Sequence, residues 1–90
     1  MSMESIKNVI EIVKKPSNQF EYEEHYYFTN VETNTVHGTS IRMTGDIWEA
    51  TRFNNLSANE AAAWCNFIKA ILGKRYEINI KTITLKYALD

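Results

Sequence analysis

The chain lacks much of what carries chemistry in other proteins. It has a single cysteine, Cys65, in 90 residues, which excludes an intramolecular disulfide and a cysteine-built zinc site. Its three glycines form no GxGxxG, Walker, HExxH or nucleophile-elbow pattern, so no loop is built to cradle a phosphate and no familiar hydrolase signature is present. There is one proline, Pro16. Neither charge dominates: Lys and Arg number 10 against 11 Asp and Glu, a formal net charge of −1. A dedicated nucleic-acid binder carries a basic excess, because phosphate neutralisation supplies most of its affinity. A DNA mimic carries an acidic one. No apolar run approaches the ~18 residues of a membrane span, and Met1-Ser2-Met3-Glu4 lacks the basic and apolar regions of a signal peptide. These absences lead to the expectation of a soluble, cytoplasmic protein with no cofactor and no metal.

What is present suits one small α+β domain over residues 1–90. A chain of this length buries roughly 60–65% of its unfolded surface, enough for a modest core without covalent staples. The clearest element is a helix over 57–73. Ser57 and Glu60 stand at capping-box spacing, Gly73 suits the left-handed stop, and Ala61, Trp64, Cys65, Ile68, Ile71 and Leu72 recur on one helical face. Cys65 reads as a small buried hydrophobe on that face. Met3, Ile6, Val9, Ile10 and Val13 also recur at helical spacing. With Ser2 or Ser5 as cap and Pro16 as stop, they predict a first helix at about 3–14.

From Phe20 the period changes to two. Phe20, Tyr22, Tyr26 and Phe28 predict a strand, with a turn around Glu32–Thr35 where Asn34 tolerates positive φ. Val36 to Thr44 is a second strand. Gly45-Asp46 then reads as a type II′ hairpin turn into a third strand, Ile47–Phe53. A final strand runs from Tyr76, with a bulge or register change expected at Lys81-Thr82 because Ile78-Ile80 and Ile83-Leu85-Tyr87-Leu89 differ in parity. The expected layout is α-β-β-β-α-β: a three-stranded antiparallel meander, both helices on one face, and a last strand parallel to the first or third by a right-handed crossover.

In that register Phe20, Tyr22, Tyr26, Phe28, Ile41, Met43, Trp48 and Ala50 form the core face. Glu21, Glu23, His25, Tyr27, Val31, Val36, Arg42, Glu49, Thr51 and Phe53 face water. His25, Arg42 and Glu49 line up across three strands, and as a charge ladder each pair is worth ~0.2–1 kcal/mol. The glutamates 21, 23 and 24 sit in a tyrosine-rich strand rather than a Gly-containing calcium loop, and read as an acidic patch. Lys14-Lys15 and Lys74-Arg75 complement helix C-terminal dipoles.

The helix–three strands–helix order resembles the double-stranded RNA-binding domain. That family uses lysines at the start of its last helix; here those positions are Ala58, Asn59, Glu60, Ala61 and Ala62, so the resemblance implies the topology and not the RNA contacts. The tail Thr82-Ile83-Thr84-Leu85-Lys86 resembles the terminus of a small phage anti-CRISPR inhibitor of Cas9. That inhibitor is acidic and this chain is not.

The functional expectation is a small non-enzymatic protein that binds another macromolecule, most simply a protein. An inhibitor encoded by a phage or mobile element is one concrete form. The residues expected to meet the partner are His25, Tyr27, Arg42, Glu49 and Phe53 on the outer sheet face, with Ile83, Leu85 and Tyr87 on an overhanging last strand that pairs with the target or in a homodimer. The alternative is a nucleic-acid-binding module that uses Tyr26, Tyr27, Phe28 and the basic pairs.

Overall fold

The computed structural model describes the backbone of residues 2–88 and the side chains of residues 3–86. Four strands, β1 (Ser2–Lys14), β2 (Glu24–Asn34), β3 (Gly38–Thr44) and β4 (Tyr76–Ala88), form one sheet in the order β3-β2-β1-β4. Every neighbouring pair is antiparallel. A short 3-10 turn (Ile47–Glu49) and one helix, α1 (Ala58–Leu72), connect β3 to β4. The order is thus β-β-β-3-10-α-β, not the expected α-β-β-β-α-β. With no N-terminal helix, the likeness to the double-stranded RNA-binding layout lapses.

The first helix is replaced by the central strand of the sheet. Val9, Ile10, Ile12 and Val13 are all buried, because strand neighbours flank β1 on both sides and both of its faces are covered. A strand buried on two faces reads as a continuous apolar run and loses its period of two. The i, i+3, i+4 matches were a by-product of that run. The β-branched density of Ile6, Val9, Ile10, Ile12 and Val13 was the better indicator.

β4 pairs with β1 over all of Ser2–Lys14, without the bulge expected at Lys81-Thr82. It is antiparallel to β1, not joined in parallel to a meander strand. Ile78 and Ile80 face one side and Ile83 and Leu85 the other simply because both sides of the sheet are apolar. This ribbon of 13-residue strands spans about 43 Å at ~3.3 Å per residue. It helps explain a radius of gyration of 15.3 Å, where ~12 Å is usual for this length. At its far end Met3 and Ile6 are exposed.

β2 leaves β1 part-way. It pairs with β1 only through Glu24–Tyr27. Beyond that, the segment 51–53 enters the fork: Thr51 N–H donates to Phe28 O (3.0 Å), and Asn8 and Phe53 exchange two backbone bonds of 2.8 Å. The Asn8 side chain also accepts from Leu56 N–H (2.9 Å). A bulge between Phe28 and Asn30 bends β2 toward β3, so that Phe28 opposes Met43 and Val31 opposes Ile41, instead of Tyr26 opposing Ile41. The hairpin closes later than expected, through Thr35-Val36-His37. Asn34 Oδ1 accepts from Val36 N–H (2.7 Å) and His37 N–H (3.2 Å), and Gly38 takes φ +79°, the left-handed position of a three-residue hairpin loop.

The expected Gly45-Asp46 hairpin does not form. Asp46 instead caps the 3-10 turn, accepting from Trp48 N–H (2.9 Å), a local bond that short acidic side chains favour over a strand. The third strand, Ile47–Phe53, is reduced to the isolated bridge at Phe53.

The helix over Ala58–Leu72 carries the full capping box between Ser57 and Glu60, and Gly73 ends it at φ +95°. It lays Ile68, Trp64, Ile71 and Leu72 on Ile10, Ile12, Phe28 and Ile41. Each fully buried aliphatic there contributes ~1.5–3 kcal/mol. A smaller second core lies on the opposite face: Val9, Ile83, Leu85 and Ala50, with Tyr27 and Ile47 packed against them.

Candidate functional site

Between the small core and the loop end of the sheet, the face away from α1 holds the most buried charge among the described residues. Glu11 interrupts the apolar run of β1 and is 7% exposed. Both of its oxygens are engaged. Asn79 Nδ2 donates to Oε1 (3.3 Å), Lys81 Nζ stands 3.8 Å from the same oxygen, and His25 Nδ1 lies 3.4 Å from Oε2. Glu23 approaches the other imidazole nitrogen at 3.9 Å. β2 and β4 flank β1 at Glu11 and hold these groups in register: Glu11 opposes Tyr27 on one side and Asn79 on the other. A carboxylate–imidazole pair is a proton-transfer unit when it faces a substrate. Here the carboxylate is closed off by its own partners, and the arrangement serves to satisfy a buried charge. Among the described residues no group of three His, Cys, Asp or Glu is placed to hold a metal ion.

Three clefts lie elsewhere. One, of about 350 Å³, is apolar and lined by Val31, Ala63, Trp64 and Phe67. A second, of about 480 Å³, is polar and lies at the β2–β3 hairpin against Glu32, Asn34 and His37. The third, about 350 Å³, is polar and lined by Lys14, Lys15, Glu21, Tyr22, Glu24 and Arg75. In it Glu21 accepts from Ser17 N–H (2.9 Å) and meets Arg75 at 3.3 Å. Hydrogen bonding from Ser17, and then the charges of Arg75 and Lys14, hold the Glu21 carboxyl below its ordinary value. Its bond to Glu24 raises the Tyr26 hydroxyl above its own. Burial pushes the Cys65 thiol up, which makes it a poor nucleophile.

The residues expected to meet a partner do not form one surface. His25 and Tyr27 do lie on the side away from α1, but His25 is occupied by Glu11 and Tyr27 packs on the second core. The His25–Arg42–Glu49 ladder does not exist. Arg42 pairs with Glu32 at 2.9 Å, and Glu49 accepts from the Thr44 hydroxyl at 3.1 Å. Phe53 is turned to the helix side, 5.3 Å from Trp64 and 6.1 Å from Phe28 between ring centres. Ile83 and Leu85 are buried within the chain. Tyr87 pairs through its backbone with Met3, and its side chain, like all of Leu89, lies outside the described residues. The nucleic-acid alternative loses Phe28, which is buried.

Sequence reasoning missed Glu11, whose signal was a lone charge inside Val9-Ile10-Glu11-Ile12-Val13. It also missed the exposed aromatics. Phe20 and Tyr22, expected in the core, are 82% and 89% exposed, and Trp48 is 58% exposed. Phe20 and Trp48 sit on backbone held by a neighbouring side chain: Asn18 Oδ1 accepts from Phe20 N–H (2.8 Å) and Asp46 holds Trp48 N–H, while Glu21 ties the loop beside Tyr22 to Ser17 N–H.

No family model matches the chain, and neither curated proteins nor solved structures give a match. Among the described residues no helix is long and apolar enough to cross a membrane.

Proposed function

We propose that this protein acts without catalysis, by binding another protein through its exposed aromatic side chains. The observation that carries this reading is the placement of Phe20, Tyr22 and Trp48 in water, with Phe20 and Trp48 on backbone fixed by side-chain hydrogen bonds. Leaving large rings exposed has no stabilising role within the monomer. Aromatics held in place before binding lose little conformational freedom at an interface and supply its strongest contacts. An inhibitor of the phage type is one form such a binder takes. The outer-face residues first considered, His25, Arg42 and Glu49, are each paired internally and suit a rim better than an anchor.

The test is capture from host lysate by wild type and by two variants, Phe20→Ser with Tyr22→Ser and Trp48→Ser, with mass spectrometry of what is retained. A specific protein lost from a variant that unfolds at the wild-type temperature supports the reading. Equal capture by all three proteins would overturn it. Retained nucleic acid, released by modest salt, would favour the alternative instead, with Tyr22 beside Lys14 and Lys15 as the contact.

A further inference from the structure

The outer edge of β4 is a long free hydrogen-bonding edge, and its sequence is complementary to itself. Asn8 exchanges both of its backbone bonds with Phe53, so the even-numbered residues of β1 bond toward β2 and the odd-numbered ones toward β4. Backbone groups alternate in this way along any strand. The β1–β4 register then uses Glu77, Asn79, Lys81 and Ile83 for bonds to β1, and Lys15 N–H to Arg75 O (2.8 Å) continues the same pattern. The N–H and C=O groups of Ile78, Ile80, Thr82 and Thr84 therefore aim outward, with the C=O of Tyr76; the Tyr76 N–H is taken by Gly73 O (3.4 Å).

Edges of this kind are usually blunted by proline, a bulge or lysines that guard the margin. β4 has no proline, glycine or bulge. Its two lysines are turned inward across the strand, Lys81 toward Glu11 and Lys86 toward Glu4, each at 3.8 Å.

We infer that a second copy of this chain occupies the edge, β4 against β4, antiparallel, with Asn79 on the two-fold axis. A continuous sheet requires residues of the same face to oppose each other, so only registers centred on a residue of β4 are allowed. Centring on Lys81 sets lysine against lysine. Centring on Ile80 or Thr82 leaves Glu77 and Lys81 opposite uncharged residues. Centring on Asn79 sets Glu77 of each copy opposite Lys81 of the other, and Ile78 opposite Ile80. Glu77 has no ion-pair partner among the described residues of the monomer and is exposed. Opposite charges across a strand pair stabilise it and like charges oppose it. The contact uses Tyr76–Thr82 rather than the Ile83–Leu89 stretch first expected to pair, because Ile83 and Leu85 are already covered by Ala50 and Ile47. It is independent of the aromatic anchors and can fail or hold without them.

Light scattering behind size exclusion at about 100 µM should give twice the 10.5 kDa mass of the chain. Thr82→Pro removes an outward N–H on an edge strand, where proline is tolerated, together with the exposed hydroxyl that accepts from Asn8 Nδ2 (3.3 Å), and should give monomer with retained helix and strand signals. Glu77→Lys sets lysine opposite lysine twice and should weaken association at least tenfold. Cys65→Ala with Asn79→Cys should form an intermolecular disulfide under mild oxidation, since Asn79 would sit in a non-hydrogen-bonded pair where Cβ atoms are close. A monomeric wild type, or a dimer that survives Thr82→Pro, would overturn the edge contact. A dimer that Glu77→Lys leaves intact, or that Asn79→Cys does not cross-link, would overturn this register.

Discussion

The two faces of the sheet are built from the same strands by different means. Toward α1, Ile10, Ile12, Phe28, Ile41 and Ile68 close a core finished by the ring cluster of Phe28, Phe53 and Trp64. Among the described residues no charge enters it. Away from α1, a smaller core of Val9, Ala50, Ile83 and Leu85 is roofed by the 3-10 turn, and the carboxylate of Glu11 lies further along the same side of β1. One face is held by packing. The other is held by packing at one end and by satisfying a charge in the middle. The helix face therefore has only area to lose on mutation, whereas the far face also has a polar group that must keep its partners.

The comparison can be broken most forcefully on the helix face. Ile68→Ala and Phe28→Ala should each cost ~3–5 kcal/mol in urea denaturation, since both residues are buried and flanked by rigid neighbours. Ile83→Ala on the far face should cost less, ~2–3 kcal/mol, because its roof is a short turn that can settle. Equal losses on the two faces would remove the distinction.

Glu11→Gln should cost ~1–3 kcal/mol by taking the charge from His25 and Lys81 while keeping the shape. Glu11→Leu should recover part of that loss, because His25 and Lys81 are half exposed and regain water while the leucine buries apolar surface. A leucine variant less stable than the glutamine one would show that the polar contacts themselves hold this face. Ser57→Ala tests the local support of the helix face through the capping box, with an expected loss of ~1 kcal/mol. Arg42→Ala, exposed and paired only with Glu32, should change stability by under ~1 kcal/mol.

The smallest effect lies off both faces. The Glu21 carboxyl is held below its ordinary value of 4.5 by Ser17 and then Arg75 and Lys14. A carboxyl depressed in the folded state contributes stability above its unfolded pKa, and loses it as pH falls through the folded one. Any stability difference between wild type and Glu21→Gln should therefore be present at neutral pH and shrink as the solution is acidified below about pH 4.5. A difference that grows on acidification would reverse this assignment.

Local chemistry was legible in the sequence wherever a few adjacent residues decided the structure. Ser57, Glu60 and Gly73 set both ends of α1 through bonds within one turn, and Asn34, though it ends β2 and does not enter the turn as expected, anchors the turn by bonding two residues just beyond it. The residues of the candidate site were only partly legible. His25 and Tyr27 were placed on the correct side of β2, but the carboxylate that holds His25 comes from β1, a segment read as helix. Phe53 was assigned to water by counting alternate residues from a hairpin that Asp46 replaces with a capped turn. Tertiary structure decided that residues 2–14 are a strand, with only their β-branched residues leaning that way in the sequence. An apolar run satisfies a helical and an extended pattern equally, and only neighbours on both sides and cover on both faces make the extended form the stable one. The bulge after Phe28 was decided in the same way, by the entry of Thr51–Phe53 into the fork between β1 and β2, a contact between segments too far apart in the chain for local sequence to encode.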